Sequence, residues 1–249
     1  MPEDFATISI RRDDAIAEIA LQRPERKNAI TGPMVEELSR AVATLRADDA
    51  CHVVLIAGGG GAFCSGLDLK EFNAEPAPAW RAGFQAGWRS LHEQLYELDK
   101  PVVCALERYA INAGSALALS ADFLIAGETA FLQVGEVMQG RPAPMNLAWL
   151  RLRFGDALTR QVTLLGRRIP GPELLRLGIA FECAEDATVL DRARALAAEI
   201  AALPPAGTAA TKTALRRLDL PGGPNAWFRA AASAVSGGSE RGPLTSVKR

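Results

Sequence analysis

Residues 62–71 read Ala-Phe-Cys-Ser-Gly-Leu-Asp-Leu-Lys-Glu and follow an apolar run, Val53 to Ala57, and four glycines, Gly58 to Gly61. A buried strand that runs into a loop of small side chains lets main-chain N–H groups come close to a ligand. The chemistry open to such a loop is oxyanion stabilisation, with backbone donors held around charge that develops on a carbonyl oxygen. A tight turn without any ligand uses the same glycines. No Gly-Lys-Ser/Thr follows, so the run is not a phosphate-binding P-loop. His52 and His92 are the only histidines, and neither sits in a metal motif. That argues against a zinc site or a Ser-His-Asp triad. Cys51, Cys64, Cys104 and Cys183 show no Cys-x-x-Cys spacing and read as free thiols of a reducing cytoplasm.

The elements around this loop alternate. Thr7–Arg11 and Ala15–Leu21 flank Arg12-Asp13-Asp14 and read as a hairpin. A helix is predicted over 33–46, with Thr31 as its cap, Pro33 in its first turn, and Met34, Leu38, Val42 and Leu45 at helical spacing. Strands are expected at 52–57, 101–106 and 122–126, and helices at 79–99 and 113–120. Residues 73–79 read as an irregular surface segment. Beyond Met145 the pattern is helical, over 145–154, 156–165, 171–177, 186–203, 206–218 and 224–235. The tail after Ser236 is polar and glycine-rich. Strands alternating with helices indicate an α/β fold.

The chain has 249 residues, 49% of them apolar and 23% charged, enough for a sizeable core. Its formal net charge of −1 gives no electrostatic reason to expect nucleic acid. No stretch approaches the roughly 20 apolar residues of a membrane span. The acidic start, Met1-Pro2-Glu3-Asp4, lacks a signal-peptide pattern.

Three segments in order resemble the crotonase family of enoyl-CoA hydratases and isomerases. Arg23-Pro24-Glu25-Arg26-Lys27-Asn28-Ala29-Ile30 looks like its coenzyme A loop, residues 61–69 like its first oxyanion segment, and residues 109–137 like its second. The resemblance implies a spiral of ββα units over residues 1–190. It also implies a helical region at 191–249 that assembles a homotrimer or homohexamer. An acyl-CoA is the implied substrate, with coenzyme A part of it and no separate cofactor or metal. By position, Leu67 N–H and Ala113 N–H would be the two oxyanion donors. Arg26 and Lys27 would meet the diphosphate, with the Ala29 backbone near the pantetheine. Ser65, Gly66, Asp68, Leu69 and Gly114 would line the substrate, and Lys212 would reach the phosphates. Asp68 is also well spaced to cap the helix after Leu67.

The family's hydratases use two glutamates. The second has a counterpart in Glu136, whereas the first falls on Ala116, which cannot hold water. Ser115 beside it has a hydroxyl too weakly acidic to serve unaided. Hydration divides naturally between two carboxylates. Double-bond migration needs one, which removes a proton from one carbon and returns it to another. A buried glutamate would have the raised pKa that such shuttling favours. Isomerisation is therefore the favoured expectation. Hydration with another water-positioning group, or acyl-CoA binding without catalysis, are the alternatives. RNA binding, known in one branch, has no basic stripe to support it. Arg108, Asn112 and Ala113 stand where the family has glycines. Asn112 suits a turn or could donate to substrate. The loop Met138-Gln139-Gly140-Arg141-Pro142-Ala143-Pro144-Met145-Asn146 is expected to line the acyl pocket, with Arg141 either solvated or facing a charged acyl group. Trp80, Phe84 and Trp88, four residues apart, form a core stripe or an acyl wall.

Overall fold

The computed structural model describes residues 5–218 together with 226, 228, 229 and 233. Apart from those four residues, the helix expected at 224–235 and the tail after Ser236 lie outside the described residues.

The hairpin pairs β1 (Ile8–Asp13) with β2 (Ile16–Leu21). In α1 (Gly32–Ala47), Thr31 caps the start by accepting from Met34 N–H, and the four apolar positions at helical spacing are buried. Then follow β3 (Val53–Gly58), α2 (Leu69–Phe72), α3 (Phe84–Glu97), β4 (Val102–Leu106), β5 (Tyr109–Ile111) and α4 (Ala113–Leu119). The second half comprises β6 (Phe123–Gly127), β7 (Phe131–Gln133), α5 (Pro144–Leu165), β8 (Arg168–Pro170), α6 (Gly171–Arg176), β9 (Glu182–Ala184), α7 (Val189–Ala201) and α8 (Pro205–Leu218). The helix expected at 79–99 is divided: Ala79–Arg81 is a separate 3-10 turn, and Gly83 precedes α3. Gly155 breaks α5 with φ 76°, a left-handed conformation that a side chain would strain. The two helices predicted on either side of residue 155 are thus both present, divided at Gly155 within the span of α5.

Six strands form the main sheet in the order β1-β2-β3-β4-β6-β9, parallel from β2 onward. A small second sheet, β5-β7-β8, stands beside it. Both faces of the main sheet are covered, which is why its central strands read as unbroken apolar runs. The pleat sorts them. Val54, Ile56, Val102 and Cys104 face the cluster that contains α1 and α3. Val53, Leu55, Val103 and Ala105 face the cluster built on α7. The expected division at residue 190 falls inside α7, whose Val189, Ala193 and Ala197 are buried against the sheet. Among the described residues no helix is long and apolar enough to cross a membrane.

A cluster of charge fastens α8 to the sheet. Asp122, just before β6, receives Lys212 Nζ at 2.6 Å and Arg153 Nη2 at 3.3 Å, and also accepts from Val102 N–H at 2.8 Å. Lys212 further donates to Lys100 O at 2.8 Å. The two cations hold the Asp122 carboxyl below its ordinary pKa despite burial. Neutralising the shared anion leaves both cations partly buried and uncompensated. D122N is expected to lower unfolding stability by about 2 kcal/mol or more, measured by urea titration.

Candidate active site

Two backbone segments approach so closely that side chains are excluded between them. Phe63 N–H donates to Glu107 O, Cys64 N–H to Tyr109 O, and Ile111 N–H to Cys64 O, all at 2.9–3.1 Å. A Cβ on Gly66 would stand 2.8 Å from Ile111 O, and one on Gly114 would stand 2.6 Å from Cys64 O. Gly66 also has φ 95°, so glycine is required there twice over.

This contact brings two free donors together. Ile30 N–H bonds to Gly66 O, and Asp68 N–H bonds to Ile30 O. Both bonds come from the residues flanking Leu67, so the N–H of Leu67 itself turns to the opposite side. Ala113 opens α4, where the first N–H groups have no acceptor within the helix. Among the described residues, neither N–H has a protein acceptor. Both residues line one cavity of about 590 Å³, together with Ser65, Leu69, Ala116 and Glu136.

Glu136 is the only carboxylate lining that cavity among the described residues. Its Oε1 accepts from Asn146 Nδ2 at 3.2 Å, while its buried Oε2 has no partner. Burial raises its pKa to about 7, against the smaller opposing effects of its own backbone N–H and Asn146. Asn112 supports it from behind. Its Oδ1 accepts from Gly135 N–H at 2.8 Å, which sets the backbone immediately before Glu136. Asn112 thus spends its side-chain oxygen on the turn. Ser115 Oγ lies 2.8 Å from Ala110 O and 2.7 Å from Gln133 O, buried and engaged.

Other expected residues fall elsewhere. Asp68 is buried away from the cavity lining, capping α2 by accepting from Glu71 N–H and pairing with Arg23 at 3.2 Å and Arg26 at 2.9 Å. It serves the loop's structure rather than lining the cavity. Arg26 is committed to that pair. Lys27 is exposed with φ 56°, and Ala29 is buried with its carbonyl accepting from Arg23 at 2.6 Å. This loop still lies against the segment that carries Leu67, since Ser65 N–H donates to Lys27 O at 3.1 Å. Lys212 lines a different hollow of about 450 Å³, whose one described carboxylate is the paired Asp122. In a single chain it does not reach the first cavity. Gly114 sits behind the donors as the contact with Cys64. Arg108 and Asn112 have φ of 57° and 52°, conformations that favour glycine. The Arg108 guanidinium packs over the Tyr109 ring.

The aromatic stripe belongs to core and cavity alike. Phe84 and Trp88 stack with ring centroids 6.3 Å apart and line the cavity, whereas Trp80 packs on Phe72 and Phe84 outside it. The proline loop lines the same cavity as expected, from Arg141 to Asn146. Asn146 and Arg89 were not singled out as individual site residues from sequence. An asparagine shortly after Pro142 and Pro144, at the expected start of a helix, was the available signal for Asn146. Arg89 carried none.

The enoyl-CoA hydratase/isomerase family model matches residues 11–220. The chain belongs to this family. It is an enzyme of the hydratase or isomerase class. It is 35% identical over 205 residues to the carnitinyl-CoA dehydratase of Proteus mirabilis, covering 81% of this chain and 77% of that one. It is 30% identical over 207 residues to the 1,2-epoxyphenylacetyl-CoA isomerase of Escherichia coli, covering 82% and 79%. An enoyl-CoA hydratase/isomerase structure from Xanthobacter autotrophicus superposes with a TM-score of 0.81 at 28% identity, over 93% of this chain and 86% of that chain. The fold is thus crotonase-like.

The raised pKa of Glu136 has a stability consequence. The group titrates near 4.5 in an unfolded chain and at about 7 in the fold. The fold favours the protonated form. That contribution is complete below about pH 4.5 and is lost as pH rises through about 7. E136Q, neutral throughout, should gain thermal stability over the parent between pH 5 and pH 8, with little difference at pH 5.

Proposed function

We propose that the cavity holds the thioester of an enoyl-CoA and that the enzyme moves its double bond. The observation that carries this is the grouping of Leu67 N–H, Ala113 N–H and a single raised-pKa carboxylate, Glu136, around one cavity. Leu67 and Ala113 donate to the thioester oxygen as it gains charge. Ionised Glu136 takes a proton from C2 of a 3-enoyl-CoA, and the electron pair passes through the C1 carbonyl onto the thioester oxygen, giving a dienolate conjugated with the C3=C4 bond and nucleophilic at C4. The same carboxyl then returns the proton to C4, leaving a 2-enoyl-CoA. Its pKa near 7 suits both halves of that transfer. Ala116 lines the cavity where a second acid would stand, which supports migration over hydration. Hydration is the second reading, favoured by the similarity to a carnitinyl-CoA dehydratase. In that case Asn146, already bonded to Glu136, orients the water.

Exposed Lys27, beside Ser65, is the cation of this loop that remains available to the coenzyme A phosphates. We take the working form to be a homotrimer or homohexamer, in which Lys212 meets a neighbour's ligand if α8 is rearranged. The cytoplasm suits the four free thiols.

Incubation with 3-enoyl-CoA and 2-enoyl-CoA panels tests the reaction. A shifted bond at constant mass is expected, and a gain of one water would establish hydration in its place. E136Q should abolish turnover while CoA-ester binding persists, and full activity in that variant would refute the assigned base. G66A, which presses a Cβ toward Ile111 O, should displace Leu67 N–H and lower kcat by about 100-fold.

A further inference from the structure

The acyl cavity is not uniformly apolar. Phe84 and Trp88 form its wall along α3, and the next residue of that helix, Arg89, also lines it. Arg141 lines it from the proline loop, its N–H donating to Glu136 O at 3.0 Å. Two guanidinium-bearing residues therefore share a cavity whose one described carboxylate is the proposed base.

Arg89 is incompletely matched by protein. Its Nε is buried without a hydrogen-bond acceptor. The nearest anion, Glu93 Oε1, is 3.8 Å away, too far for a hydrogen bond, and is shared with Arg229 at 3.9 Å. One carboxylate thus stands between two cations. A buried donor left unpaired is costly, and a purely hydrocarbon acyl chain would leave it so. A carboxylate answers it with a charge-assisted, bidentate partner.

We propose that the substrate's acyl group ends in a carboxylate, making it the mono-CoA thioester of an unsaturated dicarboxylic acid, held by Arg89 and Arg141. This rests on the acyl-CoA reading above. Phe84 and Trp88 would pack on the intervening carbons. A cationic acyl end would meet two like charges and be rejected.

The test compares the six-carbon 3-enedioic acid mono-CoA thioester with its ω-methyl ester, for turnover, and their saturated counterparts, for calorimetric binding. The free carboxylate should be favoured in kcat/KM by about tenfold or more. R89Q and R141Q should each cut that preference about tenfold, with R89K restoring part of it. The wild-type comparison needs no variant and stands even if one fails to fold. Equal handling of the two compounds, or preference for the methyl ester or for an ω-trimethylammonium analogue, would overturn the carboxylate assignment while leaving the acyl-CoA reading intact. Absence of binding by every thioester would overturn both.

Discussion

The site depends on one close approach of main chain to main chain. Segment 63–66 lies along β5 and the start of α4 at a separation that admits no Cβ at Gly66 or Gly114. Hydrogen bonds from Phe63, Cys64 and Ile111 hold that spacing. Within it, the alternation of backbone groups decides which donors are free. Ile30 takes the bonds on either side of Leu67, and α4 cannot use its own first N–H. Side chains at 67 and 113 are therefore secondary. In the proposed reaction the chemistry is carried by peptide groups whose direction the surrounding packing has set.

Around that contact, strain is concentrated where the site is built. Arg108 and Asn112 adopt left-handed conformations at the two turns that deliver β5 and α4. Each costs on the order of 1 kcal/mol compared with an unstrained turn. Asn112 recovers part of this through its bond to Gly135 N–H, which in turn holds the backbone ahead of Glu136. One residue thus links the donor side of the cavity to the acid side. Burial then sets the protonation of Glu136. With Oε2 unpartnered and only a neutral amide at Oε1, the carboxylate has too little compensation to stay ionised in the usual acidic range.

Longer elements were legible in the sequence because their periodicity spans several turns or a buried run. Thr31 and Pro33 marked the start of α1, and the five-residue apolar runs marked β3 and β4. The three-residue strands β5, β7, β8 and β9 were missed, since three residues do not display a period of two. Leu67, Ala113 and Glu136 were legible only through resemblance and motif order. Asp68 and Lys212 show the limit of that approach. Both stand near residues of the right kind in sequence, yet in the single chain Asp68 is paired with Arg26 and Arg23, and Lys212 with Asp122.

By itself, the sequence determined the α/β class, the glycine-dependent loop after β3, and a single candidate carboxylate opposite an alanine. Those are properties of residue type and local spacing. Tertiary structure decided which N–H groups remain free, how far burial lifts Glu136, and that Arg89 shares a cavity with Arg141 across about fifty positions of chain. Each of these is a question of what surrounds a group in space. Desolvation and hydrogen-bond competition depend on neighbours brought from distant segments, which local pattern does not encode.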